Sequence, residues 1–176
     1  QLLFFELLKP FDFTASVLDE VLASLSKQSG TSFYSNTHRL TIDRSNILIS
    51  ALDAKQEEVY NLHSEGKIAL GFGQEISLHF SMAGNLKIAK HLAYIDADLL
   101  VFPLVVRYRQ DGDKFKPLGM NSFKKLSDFF IDEKVPLPHK EKVPLLINGN
   151  GELVWVIGMR QDERYKVSAT TKKVAI

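Results

Sequence analysis

The sequence predicts an α+β protein: an N-terminal helical hairpin and β-hairpin, then a β-rich, sandwich-like domain with one inserted helix. Three observations lead there. Residues 2–25 space their apolar side chains with a helical period. From residue 57 onward Gly, Asn and Pro cut the chain into short apolar runs of strand length. In that second part only residues 123–133 return to helical spacing.

The elements follow in order. Residues 2–8 are apolar except Glu6, and Lys9-Pro10 ends this helix, because a residue before proline avoids the helical region. Asp12 or Thr14 can cap a second helix whose Val17, Leu18, Val21, Leu22 and Leu25 share a face, with Ser29-Gly30 as its stop. Two such helices are too small to bury a core by themselves. Residues 32–34, 39–43 and 46–50 read as strands, with Arg44-Ser45 a hairpin turn. The polar stretch 51–56 suggests a boundary, giving domains at 1–52 and 53–176. Strands are expected at 57–63, 67–72, 75–82, 91–95 and 99–106, with turns at Gly66, Gly71-Phe72-Gly73 and Gly84-Asn85. Residues 107–120 read as irregular. Ser122 is placed to cap a helix over 123–133 with Phe123, Leu126, Phe129 and Phe130 on one side. An extended run at 135–138 leads to strands at 143–148, 153–157, 162–168 and 172–176, and Asn148-Gly149-Asn150-Gly151 is a strong hairpin turn.

Composition narrows the chemistry. The 176 residues are 45% hydrophobic and 24% charged, ordinary values for a globular chain. No cysteine is present, so neither a disulfide frame nor a thiolate metal site exists, which fits a reducing, cytoplasmic setting. No run of about 18 apolar residues suggests a membrane span. The chain opens at Gln1 inside an amphipathic pattern, which suggests the C-terminal portion of something longer. Histidines 38, 63, 79, 91 and 139 are scattered, with no His-Glu-x-x-His pair, and Asp96-Ala97-Asp98 reads as turn chemistry, so no metal ligand is assigned. No Gly-x-Ser-x-Gly elbow and no Gly-x-x-x-x-Gly-Lys-Ser/Thr loop occurs. Gly71-x-Gly73 precedes a strand pattern and lacks the setting of a dinucleotide fingerprint. No catalytic or cofactor-binding residue is assigned on this chain.

Charge is the positive signal. Residues 107–176 hold 14 Lys+Arg against 9 Asp+Glu, a net of +5, and residues 1–106 hold 8 against 12, a net of −4. The basic end is a place for a polyanion, through Arg107, Arg109, Lys114, Lys116, Lys124, Lys125, Lys134, Arg160, Arg164 and Lys166. Arg107 and Arg109 fall on one face of a strand end, Lys114 and Lys116 alternate with Phe115 and Pro117 in a loop, and Lys124 and Lys125 fall on the helix away from its phenylalanines. Arginine suits phosphate through its planar fork and lysine as a point charge, so the pattern fits a phosphodiester backbone. The competing reading is a solvated face on an interaction or dimerisation module. Gly112, Asp113 and Gly119 are turn residues that present the neighbouring cations.

The wording of these blocks is itself informative. Arg107-Tyr-Arg-Gln-Asp-Gly-Asp-Lys-Phe-Lys-Pro-Leu-Gly-Met120, Lys124-Lys-Leu-Ser-Asp-Phe-Phe-Ile-Asp-Glu-Lys-Val-Pro136, Pro144-Leu-Leu146, Trp155-Val-Ile-Gly-Met-Arg160 and Arg164-Tyr-Lys-Val167 together resemble the C-terminal domain of the tRNA(Ile)-lysidine synthetase family, also known as cell-cycle proteins. The likeness is strongest over 107–167 and weaker at 33–40 and 93–98. It implies an ATP-dependent ligase that adenylates the wobble cytidine of an isoleucine tRNA and lets free lysine displace AMP. ATP, with Mg²⁺, and lysine would be substrates of an N-terminal catalytic domain carrying a Ser-Gly-Gly-x-Asp-Ser loop, which these residues lack. Implied partners of the chain are tRNA, gripped chiefly on its acceptor-stem side, that catalytic domain, and a second copy in a homodimer. The family-like basic positions are Arg107, Lys114, Lys125, Lys134, Arg160 and Arg164. Where family members often carry Pro-Gly-Asp-Arg, this chain has Asp111-Gly-Asp-Lys114, which keeps the charge and gives up the bidentate fork.

Overall fold

The computed structural model describes residues 2–25, 30–52, 59–84, 89 and 91–176, excepting the side chain of Phe72. It is a mixed α+β chain in two compact units, residues 1–56 with 136–139, and residues 57–135 with 140–176.

In the first unit, helix α1 (Leu2–Leu8) runs into a single 3-10 turn at Lys9–Phe11 where Pro10 removes a backbone donor. Asp12 then reverses the chain with a left-handed φ of 64°. Of the two candidate caps it is Thr14 that acts, its Oγ1 accepting from the Val17 amide at 3.4 Å to open helix α2 (Ala15–Ser24). Strands β1 (Ser32–Tyr34), β2 (His38–Asp43) and β3 (Asn46–Ala51) form an antiparallel sheet in that order. Arg44, at φ 54°, turns β2 into β3. The helical hairpin supplies Leu8, Phe13, Leu18 and Val21, and β2 supplies Leu40 and Ile42, to one buried cluster. The sheet thus provides the apolar surface that two short helices lack.

The second unit begins with β4 (Tyr60–Leu62), β5 (Gly66–Ala69), a 3-10 turn at Gly71–Gly73, β6 (Glu75–Leu78), β7 (Phe80–Met82) and β8 (Ile95–Asp96). After a 3-10 turn at Ala97–Leu99 come β9 (Leu104–Arg107), β10 (Lys114–Phe115), β11 (Lys124–Lys125) and helix α3 (Leu126–Asp132). The chain then passes through the one-turn helix α4 (Leu137–Lys140), of which residues 137–139 belong to the first unit. The second unit resumes with β12 (Leu145–Ile147), β13 (Leu153–Val156), β14 (Arg160–Gln161), a 3-10 turn at Glu163–Tyr165, and β15 (Lys173–Ala175). The central sheet has the order β14-β13-β12-β9-β4, antiparallel at each step. Smaller sheets are β7-β15-β8, β5-β6 and β10-β11.

In the middle of the central sheet, β12 and β13 are buried on both faces, which explains why they read as unbroken apolar runs. Side chains alternate along a strand, so Leu104, Val106, Leu146 and Val154 enter one core with Ile95 and Ala175 of the smaller sheet. Leu145, Ile147 and Leu153 enter a second core, where Phe115 of β10 and Leu126, Phe129 and Phe130 of α3 meet them, and Val156 at the end of β13 joins this core out of the simple alternation. A register shift between Leu146 and Ile147 accommodates the Asn148–Glu152 turn. Gly149 is required there by close approach: an added Cβ would overlap the Val101 carbonyl, to which the Gly149 amide donates at 2.8 Å.

Several expectations need correction. The helix expected over 123–133 begins at Leu126, with Lys125 at its N-cap and no side-chain cap, so Ser122 does not cap it. Lys124 and Lys125 accordingly sit on β11, paired with Phe115 and Lys114, and Phe123 lies outside the helix, 55% exposed. The stretch 107–120 is not wholly irregular, since Lys114 and Phe115 form β10. Arg109 lies past the end of β9, so it does not share a strand face with Arg107. The run at 91–95 is strand only from Ile95, 99–106 is strand only from Leu104, and 75–82 divides at His79. Within the strand expected at 162–168, Glu163–Tyr165 form a 3-10 turn because the Asp162 side chain caps them, and Leu137 and Pro138 of the run expected to be extended open the helix Leu137–Lys140. Gly66 is the first residue of β5 and not a turn. Ser29, residues 53–56 of the expected boundary, residues 57–58 of the first expected strand, and Asn85 lie outside the described residues.

Candidate functional site

One buried carboxylate ties two of the basic stretches together. Asp162 is fully buried and caps the turn after β14 by accepting from the Arg164 amide at 2.8 Å. It also accepts from the Lys116 amide at 2.8 Å and from the Arg164 guanidinium at 2.9 Å through both Nε and a terminal nitrogen. This single side chain therefore ties the loop after β10 to the turn after β14. The neighbouring Glu163 accepts from the Gly119 amide at 2.8 Å and from Lys166. The Gly119 amide and Lys166 hold the Glu163 carboxyl below its usual range.

Arg164 is the most elaborated cation. Besides Asp162 it pairs with Glu152, and its guanidinium lies 4.9 Å from the centre of the Phe123 ring. Its pKa is raised further, chiefly by the Asp162 hydrogen bond. Glu152 also accepts from the Tyr165 hydroxyl at 2.6 Å. That hydroxyl in turn receives a hydrogen bond from the buried Asn148 amide at 3.1 Å. Burial, then Glu152, pushes the Tyr165 hydroxyl pKa up. Asn148 spends its remaining polar atoms on the Val101 amide at 2.7 Å and the Leu99 carbonyl at 3.2 Å. The chain from Asn148 to Arg164 is thus a connected polar network that fixes the guanidinium.

The other cations differ in how far they are committed. Arg107 donates to both Asp113 oxygens at 2.9 and 2.8 Å and to the Tyr108 carbonyl at 2.9 Å, with only 15% of its side chain exposed. Burial pushes the Asp113 carboxyl up, but the Arg107 hydrogen bonds, the Gln110 amide and the nearby guanidinium charges outweigh it and leave the pKa lowered. Arg109 pairs with Asp111 at 3.2 Å, Lys124 with Asp132, Lys166 with Glu163, and Arg160 loosely with Glu133 at 3.9 Å. Lys124 is therefore not free in the manner its sequence suggests. Arg160 also donates to the Leu118 carbonyl at 3.4 Å. Lys114 is exposed, with its ammonium 5.7 Å from the Phe123 ring centre. Lys134 is exposed at a left-handed φ of 55° that ends α3. Lys125 is exposed, and no carboxylate stands within ion-pair distance of it, of Lys114 or of Lys116 among the described residues. Lys125 borders a small recess with Arg109, the Gln110–Asp113 turn and Ser127.

Asp162, Glu152 and Phe123 are the residues that the sequence did not single out. Asp162 had a legible signal, an acid placed to cap the Glu163–Tyr165 turn. Phe123 had none, because an aromatic beside a helical period reads as core. Among the described residues no three His, Cys, Asp or Glu side chains are grouped to hold a cation, and no helix is long and apolar enough to cross a membrane.

Comparison with known proteins places these features. Residues 1–52 match the family model of the TilS substrate binding domain, and residues 104–176 match that of the TilS substrate C-terminal domain. The chain is 40% identical over 178 aligned residues to the tRNA(Ile)-lysidine synthase of Parabacteroides distasonis, covering 98% of this chain and 40% of that protein. It is 33% identical to the tRNA(Ile)-lysidine synthase of Porphyromonas gingivalis, covering 94% of this chain and 38% of the relative. The chain thus spans about two fifths of the length of these relatives. A crystal structure of a TILS C-terminal domain superposes with a TM-score of 0.58 at 23% identity, covering 67% of this chain and 93% of that one, which shows a shared fold.

Proposed function

Because the chain belongs to the tRNA(Ile)-lysidine synthase family, matching its C-terminal region, we propose that it is the tRNA-gripping part of a cytoplasmic, ATP-dependent ligase that converts the wobble cytidine of an isoleucine tRNA to lysidine. The observation that carries the reading is the tying together of three basic stretches: β10 pairs with β11 and sets Lys114 opposite Lys125, Asp162 joins the Lys116 amide to Arg164, and Arg160 reaches Glu133 at 3.9 Å. The proposed contacts are graded by commitment. Lys114, Lys116 and Lys125 meet phosphate directly, Lys134 adds a cation at the end of α3, and Arg109, Lys124, Arg160 and Lys166 meet phosphate by exchanging a carboxylate for it. Arg107 and Arg164 hold the surface in shape, and Arg164 keeps a partly open guanidinium. Such a surface binds backbone more than sequence, so affinity falls steeply with salt.

In this reading residues 1–52 and 53–176 act as separate domains of the grip, with the catalytic domain and a second copy of the protein as further partners. ATP, Mg²⁺ and lysine are in this reading substrates of the catalytic domain, whose Ser-Gly-Gly-x-Asp-Ser loop does not occur in this sequence. Gel-shift titrations of the chain with an isoleucine tRNA across a salt series test the proposal. Binding that weakens by orders of magnitude between about 50 and 200 mM salt is expected. No affinity at low salt, together with a salt-indifferent dimer in sedimentation, overturns it in favour of a dimerisation module.

A further inference from the structure

We propose that Phe123 is a stacking platform for a nucleobase that is not already sandwiched inside a duplex, an inference that rests on the RNA-binding reading above. A phenylalanine 55% exposed on a loop is the first observation. It is not an isolated apolar residue: Leu118 and Met120, in the same loop, are 36% and 39% exposed. The second observation is rigidity. The loop is pinned where the Leu118 amide donates to the Gln161 carbonyl at 2.9 Å and where the Gly119 amide donates to Glu163 at 2.8 Å. Arg164 lies against the Phe123 ring and is itself locked by Asp162 and Glu152. The ring is therefore presented in a fixed position, with little conformational entropy left to lose on binding.

The third observation is the rim. Lys114 stands 5.7 Å from the ring centre on a flexible stem, and Lys116 lies on the same strand–loop segment. An apolar plate edged by cations complements a ligand with a flat apolar face joined to anions. A nucleotide is that ligand: the base stacks while its phosphate draws the lysine. A base in the middle of a duplex has both faces covered, so the platform favours an unpaired nucleotide or the end of a helix.

The test uses the whole chain and two hairpin RNAs of identical stem, one blunt and one with a short single-stranded 3′ purine extension. Fluorescence anisotropy at low salt reads both affinities. The extended hairpin is expected to bind about tenfold more tightly than the blunt one. In Phe123→Leu that preference collapses, and in Phe123→Trp it is kept or strengthened, with far-ultraviolet circular dichroism and Tm matching the parent chain in both variants. A wild-type protein that binds both hairpins equally overturns the inference and leaves the RNA-binding reading standing. So does a Phe123→Leu protein that keeps the preference, the result a protein-docking patch would give. Absence of affinity for either hairpin removes both.

Discussion

The Arg107 guanidinium and the Asp113 carboxylate face each other through two parallel hydrogen bonds, at 2.9 and 2.8 Å, with 15% and 13% of their side chains exposed. The pair closes the Gln110–Asp113 turn, because Asp113 also accepts from the Gln110 amide at 2.7 Å. Removing one partner leaves a largely desolvated charge, so Arg107→Ala is expected to lower unfolding stability by about 3 kcal/mol in urea titration.

Asp113 also sets a pH dependence. Its folded pKa is lowered, so the pair stabilises the fold above the carboxyl's unfolded value, and that contribution is lost as pH falls through the folded value. Tm measured on the acid side should therefore fall with pH more steeply in the parent chain than in Asp113→Asn, which is less stable near neutrality and flatter below. Parallel profiles would contradict this.

Asp162 serves four donors: the Lys116 and Arg164 amides, and Arg164 Nε and terminal nitrogen. Asp162→Ala should cost about 3 kcal/mol or more and loosen the loop after β10 along with Arg164. Amide hydrogen exchange would show it, with protection lost at Lys116 and Leu118 while β12 and β13 stay protected. Asp162→Asn, which keeps the shape, should recover only part of the loss.

Lys125 and Arg107 separate surface from scaffold. Lys125→Ala is expected to weaken tRNA binding roughly 3–10-fold and to reduce the salt slope by about 1, with Tm unchanged. The opposite order of effects on Tm is expected for Arg107→Ala. A Lys125 variant that binds normally across the salt series would remove that residue from the surface.

Two glycines should respond differently to alanine. At Gly149 a Cβ meets the Val101 carbonyl in the backbone, so Gly149→Ala should cost about 3 kcal/mol by disturbing the β12–β13 turn. At Gly112 the space is open and only the φ of 91° is unfavourable, so Gly112→Ala should cost about 1 kcal/mol. Denaturant midpoints of the two variants check the ordering.

Much of the fold was legible because period and punctuation agree with packing. The helical hairpin, the β2–β3 hairpin and the Asn148–Gly151 turn follow from local chemistry alone. Strands β12 and β13 fall within the expected runs because both of their faces are buried and the apolar run needs no alternation. What failed was decided by distant partners. Lys124 and Lys125 left the helix because β10 offers them a pairing edge, and Phe123 left the core because Arg164, some forty residues on, gives its ring a place outside. Residues 162–168 read as strand by composition, yet Asp162 accepts the amide of Arg164 and bends them. The basic positions could be identified from the sequence, but not their commitment, since ion pairing is a property of the folded surface.

That commitment shapes how the surface would behave toward a ligand. Arg109, Lys124, Arg160 and Lys166 each come with a carboxylate of the same unit in attendance. A polyanion drawn to them must evict a competitor that is tethered by the fold and does not diffuse away. A small free anion at ordinary concentration gains little from such an exchange, whereas a rigid ligand whose charges arrive at several places together can make all the evictions at once. Each exchange is easily reversed when the ligand shifts, because the displaced acid is still at hand. Built this way, a basic face is selective for shape and quick to let go, two qualities that a catalytic cycle on a large substrate demands and that a bare cluster of positive charge lacks.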